Sequence, residues 1–225
     1  MLTLEGRTCV FAGGSGAIAH EALRTMLSAG MNVVLLSHRP ESCAALQEEF
    51  RSLKGELVSY SNQLPDEEVY AEVKKRFGSL DVFLSKTGIL KTPVPFEQLD
   101  TDQLVRELGM QVGSVSRHIQ NILPYLKESK AGRIVLFSTI GSLNGYEKEN
   151  MIDSVCKGAV NSLVYCLARE FASYGITVNC IAFSGMLQDH PGEGLDPESE
   201  IDDIPLKRSG SSADFAAALE YLLSR

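Results

Sequence analysis

Residues 8–19 read TCVFAGGSGAIA, and this stretch decides the fold. The run Thr8–Ala12 is short and apolar, and glycines follow it at once. The next residues, AIAHEALRTMLSAG, place apolar side chains at helical spacing and close on Gly30. A short apolar run that ends in glycine and passes into a helix is typical of a buried strand and a tight turn. We therefore predict a strand, a glycine-rich turn and a helix in this order.

The same alternation continues along the chain. Further apolar runs, predicted as strands, lie at residues 32–37, 56–61, 81–85, 133–138 and 177–182. Segments with helical spacing lie between and after them, at residues 40–53, 65–80, about 102–127, about 151–174 and 213–223. Continuously apolar strands that alternate with helices predict an α/β protein with a parallel sheet covered on both faces. The predicted fold is a doubly wound, Rossmann-like sheet of about six strands.

No linker or internal repeat divides this pattern, so residues 1–225 are predicted to form a single domain. One irregular stretch, residues 184–208, is rich in glycine, proline and acidic residues. It is too long for a plain connection between elements, and we expect a substrate lid or a mobile loop there.

Composition limits the possible partners. The chain has 225 residues, with 21 Lys and Arg against 29 Asp and Glu, so its net charge is −8. An acidic chain without a basic run argues against nucleic acid and anionic membrane partners. No apolar stretch reaches the roughly 18 residues that span a bilayer, and the start does not resemble a signal peptide. Five scattered cysteines without a C-x-x-C pair favour a reducing cytoplasm.

The glycine-rich turn predicts a phosphate site. Backbone N–H groups in such a turn, together with a helix N-terminus, attract phosphate, and the candidate residues are Gly13, Ser15, Gly16 and Ile18. The alternative is a tight turn with no ligand. After the second strand the chain reads Ser37-His38-Arg39. Basic residues there suit the 2′-phosphate of NADP, so His38 and Arg39 favour NADP over NAD, unless this is a solvated loop.

Several stretches resemble the short-chain dehydrogenases/reductases, and the resemblance covers nearly the whole chain. The matching stretches are RFGSLDV at 76–82, ILPY at 122–125, AREF at 168–171, YGITVN at 174–179 and PLKR at 205–208. The family's loop T-G-x-x-x-G-x-G corresponds here to Ala12, Gly13, Ala17 and Ala19. The methyl group of Ala17 is expected to point toward the pyrophosphate. The resemblance implies an NAD(P)-dependent oxidoreductase.

The family's active site resembles Asn, Ser, Tyr and Lys, with the last two spaced as Y-x-x-x-K. Here Lys157 holds the lysine position, where the family also contacts the nicotinamide ribose, and Asp153 holds the tyrosine position. Residues four apart share a helical face and can pair. A nearby ammonium favours an ionised carboxylate, which has no proton to give. The alternative is that Asp153 is an acid favoured at the start of a helix.

The remaining positions also differ from the family pattern. Thr139 falls on the serine position, with Ser138 as a neighbouring candidate, and Gln111 falls on the asparagine position. Of the family's N-N-A-G after the fourth strand, only Gly88 is kept. Phe183 replaces a proline and is expected to crowd the nicotinamide pocket.

Three functions remain open on this sequence. The first is an NADP-dependent oxidoreductase acting on a small carbonyl or alcohol, with Thr139, Asp153, Lys157 and Gln111 as catalytic residues. The second is a non-catalytic dinucleotide- or ligand-binding regulatory homologue. The third is a lyase or isomerase that uses Asp153 as a base. Tyr146, in the loop before the Lys157 helix, is an alternative proton donor. The histidines show no metal-ligand spacing, so no metal is expected.

The resemblance also predicts an assembly. In the family a seventh strand follows the last helix, whereas this sequence stops at Ser224-Arg225. Family tetramers use one interface from the long central helices and another from the last helix and strand. Because only the first set is present, we expect a homodimer through the long helices, with a monomer as the alternative.

Overall fold

A computed structural model describes residues 4–13, 17–37, 40–61, 66–86, 94–145, 151–183 and 204–224. Its strands are β1 (Thr8–Ala12), β2 (Asn32–Ser37), β3 (Leu57–Ser61), β4 (Val82–Ser85), β5 (Arg133–Thr139) and β6 (Thr177–Phe183). Its α-helices are α1 (Ala17–Ser28), α2 (Pro40–Phe50), α3 (Asp66–Phe77), α4 (Thr101–Leu108), α5 (Val115–Glu128), α6 (Gly141–Asn144), α7 (Met151–Phe171) and α8 (Ser212–Leu223). Short 3₁₀ turns lie at Phe96–Gln98 and Ala172–Tyr174.

The strands form one sheet in the order β3-β2-β1-β4-β5-β6, and every pair is parallel. This order confirms the predicted doubly wound sheet of six strands. The chain runs outward from β1 to β3 and then returns to place β4 on the other side of β1. The reversal opens a crevice at the carboxyl ends of β1 and β4, which is where ligands bind in sheets of this kind.

Burial on both faces explains why the strands are continuously apolar. Along β1, Val10 and Ala12 belong to one core cluster, and Cys9 and Phe11 belong to the other. Successive side chains of a strand point to opposite faces. The first cluster packs the sheet against α3, α5 and α7, and the second packs it against α1, α2 and α8. A central strand with both faces buried therefore has no polar face in its sequence.

The long helix predicted near residues 102–127 is interrupted. A π-helical segment, Gly109–Ser114, joins α4 to α5. Periodicity did not predict it, because one wider turn shifts the apolar pattern by a single residue. Such π segments occur often at functional sites, and this one contains the buried Gln111.

The last part of the chain is only partly described. Residues 184–203 of the predicted lid lie outside the described residues, and residues 204–208 form turns and bends. The helix α8 begins at a capping box in which Ser211 and Asp214 exchange hydrogen bonds. Among the described strands, β6 is an edge of the sheet. In the part of the chain that the structure describes, no helix has the length and apolarity needed to cross a membrane.

Candidate active site

Three buried polar side chains meet between the π segment and α7. The amide nitrogen Nε2 of Gln111 donates to Oδ1 of Asp153 at 3.1 Å and lies 3.4 Å from Oε2 of Glu107. All three side chains are at least nine-tenths buried. The structure thus brings two predicted site residues, Gln111 and Asp153, into direct contact. It adds Glu107, which sequence reasoning missed.

A signal for Glu107 was present in the sequence. Glu107 lies four residues before Gln111, and residues at this spacing lie on the same side of a helix. A buried glutamate is rare unless it is paired. Its burial could not be read from the α4 sequence, TDQLVREL, in which charged residues are common.

Lys157 lies one turn after Asp153 on α7, and its side chain is buried. Burial lowers the pKa of the Lys157 amine because it disfavours the ammonium form. The Asp153 carboxylate opposes this shift, and the nearby Lys86 ammonium reinforces it. Asp153 and Lys157 therefore act on each other electrostatically, as their spacing predicted. Asp153 is also in the first turn of α7, so the helix-start explanation of this acid is compatible with the same position.

The two hydroxyl candidates on β5 have different surroundings. Ser138 is buried, and its Oγ lies 3.1 Å from Ser142 Oγ and 3.5 Å from the carbonyl oxygen of Lys157. Those contacts tie the end of β5 to α6 and α7. Thr139, the last residue of β5, is half-buried. Ser138 is therefore engaged within the protein, and Thr139 remains the residue at the family's serine position.

The turn after β1 is held by its backbone. Gly13 has a φ of 85°, in the left-handed region that favours glycine. Its N–H donates to the carbonyl oxygen of Leu36 on β2 at 3.2 Å, so this N–H is engaged within the sheet. Gly13 therefore shapes the turn. Ile18 is half-buried and packs against the core cluster beneath α1, so only part of its side chain is available to a ligand.

Two buried acceptors mark the carboxyl edge of the sheet. Ser85 Oγ and Gln111 Oε1 have no hydrogen-bond partner among the residues that the structure describes. Ser85 ends β4 and pairs in register with Ala12 of β1, beside the crevice. Buried polar atoms rarely lack a hydrogen-bond partner, so each of these two oxygens is a candidate to bind a ligand. Together with the glycine turn at Gly13 and the buried amine of Lys157, they fit a dinucleotide.

Other predicted site residues lie outside the described residues. They are Ser15, Gly16, His38, Arg39, Gly88 and Tyr146. Phe183 is described, and its ring packs 5.3 Å from that of Phe137 and 5.4 Å from that of Phe215. This aromatic cluster lies on the α8 side of the sheet. The crowding of the nicotinamide pocket by Phe183 stays a prediction.

Comparison with known proteins agrees with this geometry. Residues 13–225 match the family model described as Enoyl-(Acyl carrier protein) reductase. The chain is similar to 3beta-hydroxysteroid dehydrogenase 2 from Eggerthella lenta, with 26% identity over 98% of this chain and 89% of that protein. The chain therefore belongs to the short-chain dehydrogenase/reductase family of oxidoreductases, which binds NAD(P). The tyrosine spacing of the enoyl-reductase branch would fall on Asn150, so enoyl reduction is not proposed.

Solved structures share the fold. An NAD⁺-bound xylitol dehydrogenase has a TM-score of 0.87 at 20% identity, covering 99% of this chain and 94% of its own. A short-chain dehydrogenase from Burkholderia cenocepacia J2315 in complex with NADP has a TM-score of 0.86 at 20% identity, covering 99% and 92%. These similarities establish the fold, and they include one protein with each of the two dinucleotides.

Proposed function

We propose that this protein is an NADP-dependent oxidoreductase in which Asp153 occupies the position of the family's tyrosine. The observation that carries the proposal is the buried Lys157 amine beside Asp153, at the same edge of the sheet as the unpaired Ser85 Oγ. A buried titratable amine next to a charged partner in a ligand crevice is a common feature of active sites. The family resemblance implies a small carbonyl or alcohol as substrate.

The bound cofactor would supply or accept a hydride. Lys157 would hold the nicotinamide ribose, and the turn at Gly13, with Ser15 and Gly16, would hold the pyrophosphate. Thr139 would orient the reacting group through its hydroxyl. Gln111 fixes the orientation of the Asp153 carboxylate by donating to Oδ1. In this arrangement Asp153 serves as a hydrogen-bond acceptor.

The loss of tyrosine has a direct consequence for carbonyl reduction. An alkoxide that forms from a ketone needs a proton, and general-acid catalysis typically contributes 10²–10⁴-fold to the rate. We therefore expect generic ketones to react far below about 10 s⁻¹, a common enzyme turnover.

Cofactor choice is tested by calorimetric titration of NADPH and NADH into the native protein and into Arg39→Asp. We expect the native protein to prefer NADPH, and the substitution to weaken NADPH more than NADH by about 1–3 kcal/mol, since a charge-assisted contact is lost. Arg51→Asp makes the same charge change at an exposed arginine and controls for the overall field. Equal losses for both dinucleotides would contradict the NADP assignment, and no binding of either would contradict the proposed function.

Two further proposals concern the setting of the protein. All five cysteines are free thiols, which supports a reducing cytoplasm as the location of the protein. They are Cys9, Cys43, Cys156, Cys166 and Cys180. Exposed apolar side chains on α4 and α7 support a homodimer through the long helices.

A further inference from the structure

We propose that the reacting group of the substrate is a carbon–nitrogen double bond, which enters as an iminium ion and leaves as an amine. This inference rests on the proposed function, because it needs the hydride that NADPH carries. The side chains around Asp153 favour an iminium ion over a ketone as the substrate class.

The first argument is the balance of donors and acceptors. The Gln111 amide nitrogen faces both Asp153 and Glu107, and its carbonyl oxygen Oε1 is a buried acceptor without a partner in the part of the chain that the structure describes. The carboxyl oxygens of Asp153 and Glu107 face the same amide nitrogen as acceptors. A site rich in acceptors is completed by a ligand that donates. An iminium or amine nitrogen carries an N–H donor, whereas a ketone oxygen only accepts.

The second argument is charge. Among the residues that the structure describes, the charged side chains that act on Lys157 are those of Asp153, Glu107 and Lys86. Together with Lys157 they are two acids and two amines, whose formal charges sum to zero. A Y-x-x-x-K site with a neutral tyrosine has only the positive charge of its lysine. Relative to that pattern, Asp153 and Glu107 add two formal negative charges and Lys86 adds one positive charge. The site is therefore more negative by one formal charge, which favours a cationic substrate.

The chemistry then balances without a proton donor. The hydride of NADPH forms a new C–H bond at the iminium carbon. The π electron pair of the C=N bond moves to nitrogen and neutralises its charge. NADPH is oxidised to NADP⁺ and the iminium ion is reduced to an amine. No proton is transferred, so this reaction does not need the proton donor that the family's tyrosine supplies. Ketone reduction does require a proton.

The substrate test compares two molecules of similar shape. The native protein receives NADPH with either a cyclic imine of the pyrroline type or cyclopentanone, and the loss of NADPH is followed. We expect the imine to have a kcat/KM at least about tenfold higher, equivalent to about 1.4 kcal/mol. If cyclopentanone reacts as fast as the imine or faster, the inference is overturned and the proposed oxidoreductase function stands.

The binding test does not depend on turnover. Pyrrolidine and cyclopentanol, the matching amine and alcohol, are titrated calorimetrically into the protein with NADP⁺ present. We expect pyrrolidine to bind more tightly, and Glu107→Gln to reduce its advantage severalfold while cyclopentanol binding changes little. Glu97→Gln, at an exposed residue before α4, is the matched control. Equal binding of the two ligands, or a pyrrolidine advantage that Glu107→Gln leaves intact, overturns the inference. If NADP⁺ and NADPH themselves fail to bind, the proposed function fails first.

Discussion

Lys157 is the residue at which burial and charge oppose each other. Its folded-state pKa lies below the ordinary lysine value of 10.5, chiefly because the amine is buried. At a pH between the folded-state and the unfolded-state pKa of Lys157, the unfolded chain holds a proton that the folded chain has released. The contribution of Lys157 to the free energy of unfolding therefore rises with pH through that window. The destabilisation that comes from burying the charged amine is greatest below the folded-state pKa.

This sign gives a prediction for Lys157→Met. The free energy of unfolding of this variant minus that of the native protein should be highest near neutral pH and should fall as the pH approaches about 10. Denaturant unfolding at several pH values measures the difference. Lys130→Met, at an exposed lysine, controls for the general effect of charge. A difference that does not change with pH would contradict the lowered pKa.

The cysteines provide a second prediction at this scale. Burial, with Asp153 and Glu107 nearby, raises the pKa of the Cys156 thiol to about 11, whereas Cys166 is exposed on the same helix. Because the thiolate is the reactive form, a disulfide reagent near neutral pH should modify Cys166 quickly and Cys156 slowly. Cys166→Ser should remove the fast phase. Rapid modification of Cys156 in the folded protein would contradict its placement.

The sequence predicted the contacts of site residues only where a helical spacing brings two residues to one face of a helix. Asp153 and Lys157 were predicted to share a face, and they interact electrostatically. The contact from Gln111 to Asp153 spans 42 residues along the chain, and no local pattern predicts such a contact. It depends on how the π segment packs against α7.

The turn after β1 depends on the backbone conformation of Gly13. Gly13 adopts a φ of 85°, so a Cβ there is strained. We expect Gly13→Ala to lower the free energy of unfolding by about 1–2 kcal/mol. Gly109 has helical angles and open space around it, so Gly109→Ala should be neutral or slightly stabilising. Chemical denaturation compares the two, and equal losses would contradict the strain argument.

The helix α8 is held to the sheet by aromatic packing. Phe215 is 4% exposed, and its ring lies 5.9 Å from that of Phe137 and 5.4 Å from that of Phe183. Phe215→Ala should cost about 3–5 kcal/mol, since it leaves a cavity beneath the helix. Tyr221→Ala on the same helix removes a ring that is 78% exposed and should change stability by about 0.5 kcal/mol or less. A small loss for Phe215→Ala in thermal unfolding would show that α8 is loosely attached.

At the scale of elements, the strands were predicted well because the central strands β1, β4 and β5 are buried on both faces and read as apolar runs. The helices were predicted nearly as well, but the π segment was not. A single wider turn leaves little trace in hydrophobic periodicity, and only packing against α7 reveals it.

At the scale of the molecule, the exposed apolar side chains predict assembly. Val105 on α4 is 68% exposed, and Val155 and Tyr165 on α7 are 46% and 67% exposed. A two-fold pairing of these helices would bury them. Light scattering at micromolar concentration should give the mass of a dimer, and Tyr165→Glu should shift it toward a monomer. Tyr221→Glu, on the exposed face of α8, should leave the mass unchanged. A monomeric native protein would contradict the prediction.

The overall fold could be predicted because it repeats one simple unit, an apolar strand followed by a helix. The candidate site could be predicted only in part, since its residues come from the ends of separate elements. The identity of Lys157, Thr139 and Gln111 followed from the family resemblance, whereas the burial of Glu107 and the unpaired oxygens depend on tertiary packing.

The most direct test of this account is the rate of NADPH oxidation with a cyclic imine and with cyclopentanone, measured on the native protein and on Asp153→Tyr. Tyrosine at this position would supply a proton donor and remove the buried carboxyl group of Asp153. The account predicts that the native protein favours the imine and that Asp153→Tyr shifts the preference toward the ketone by about tenfold or more. Fast ketone reduction by the native protein, with a preference that Asp153→Tyr leaves unchanged, would contradict it.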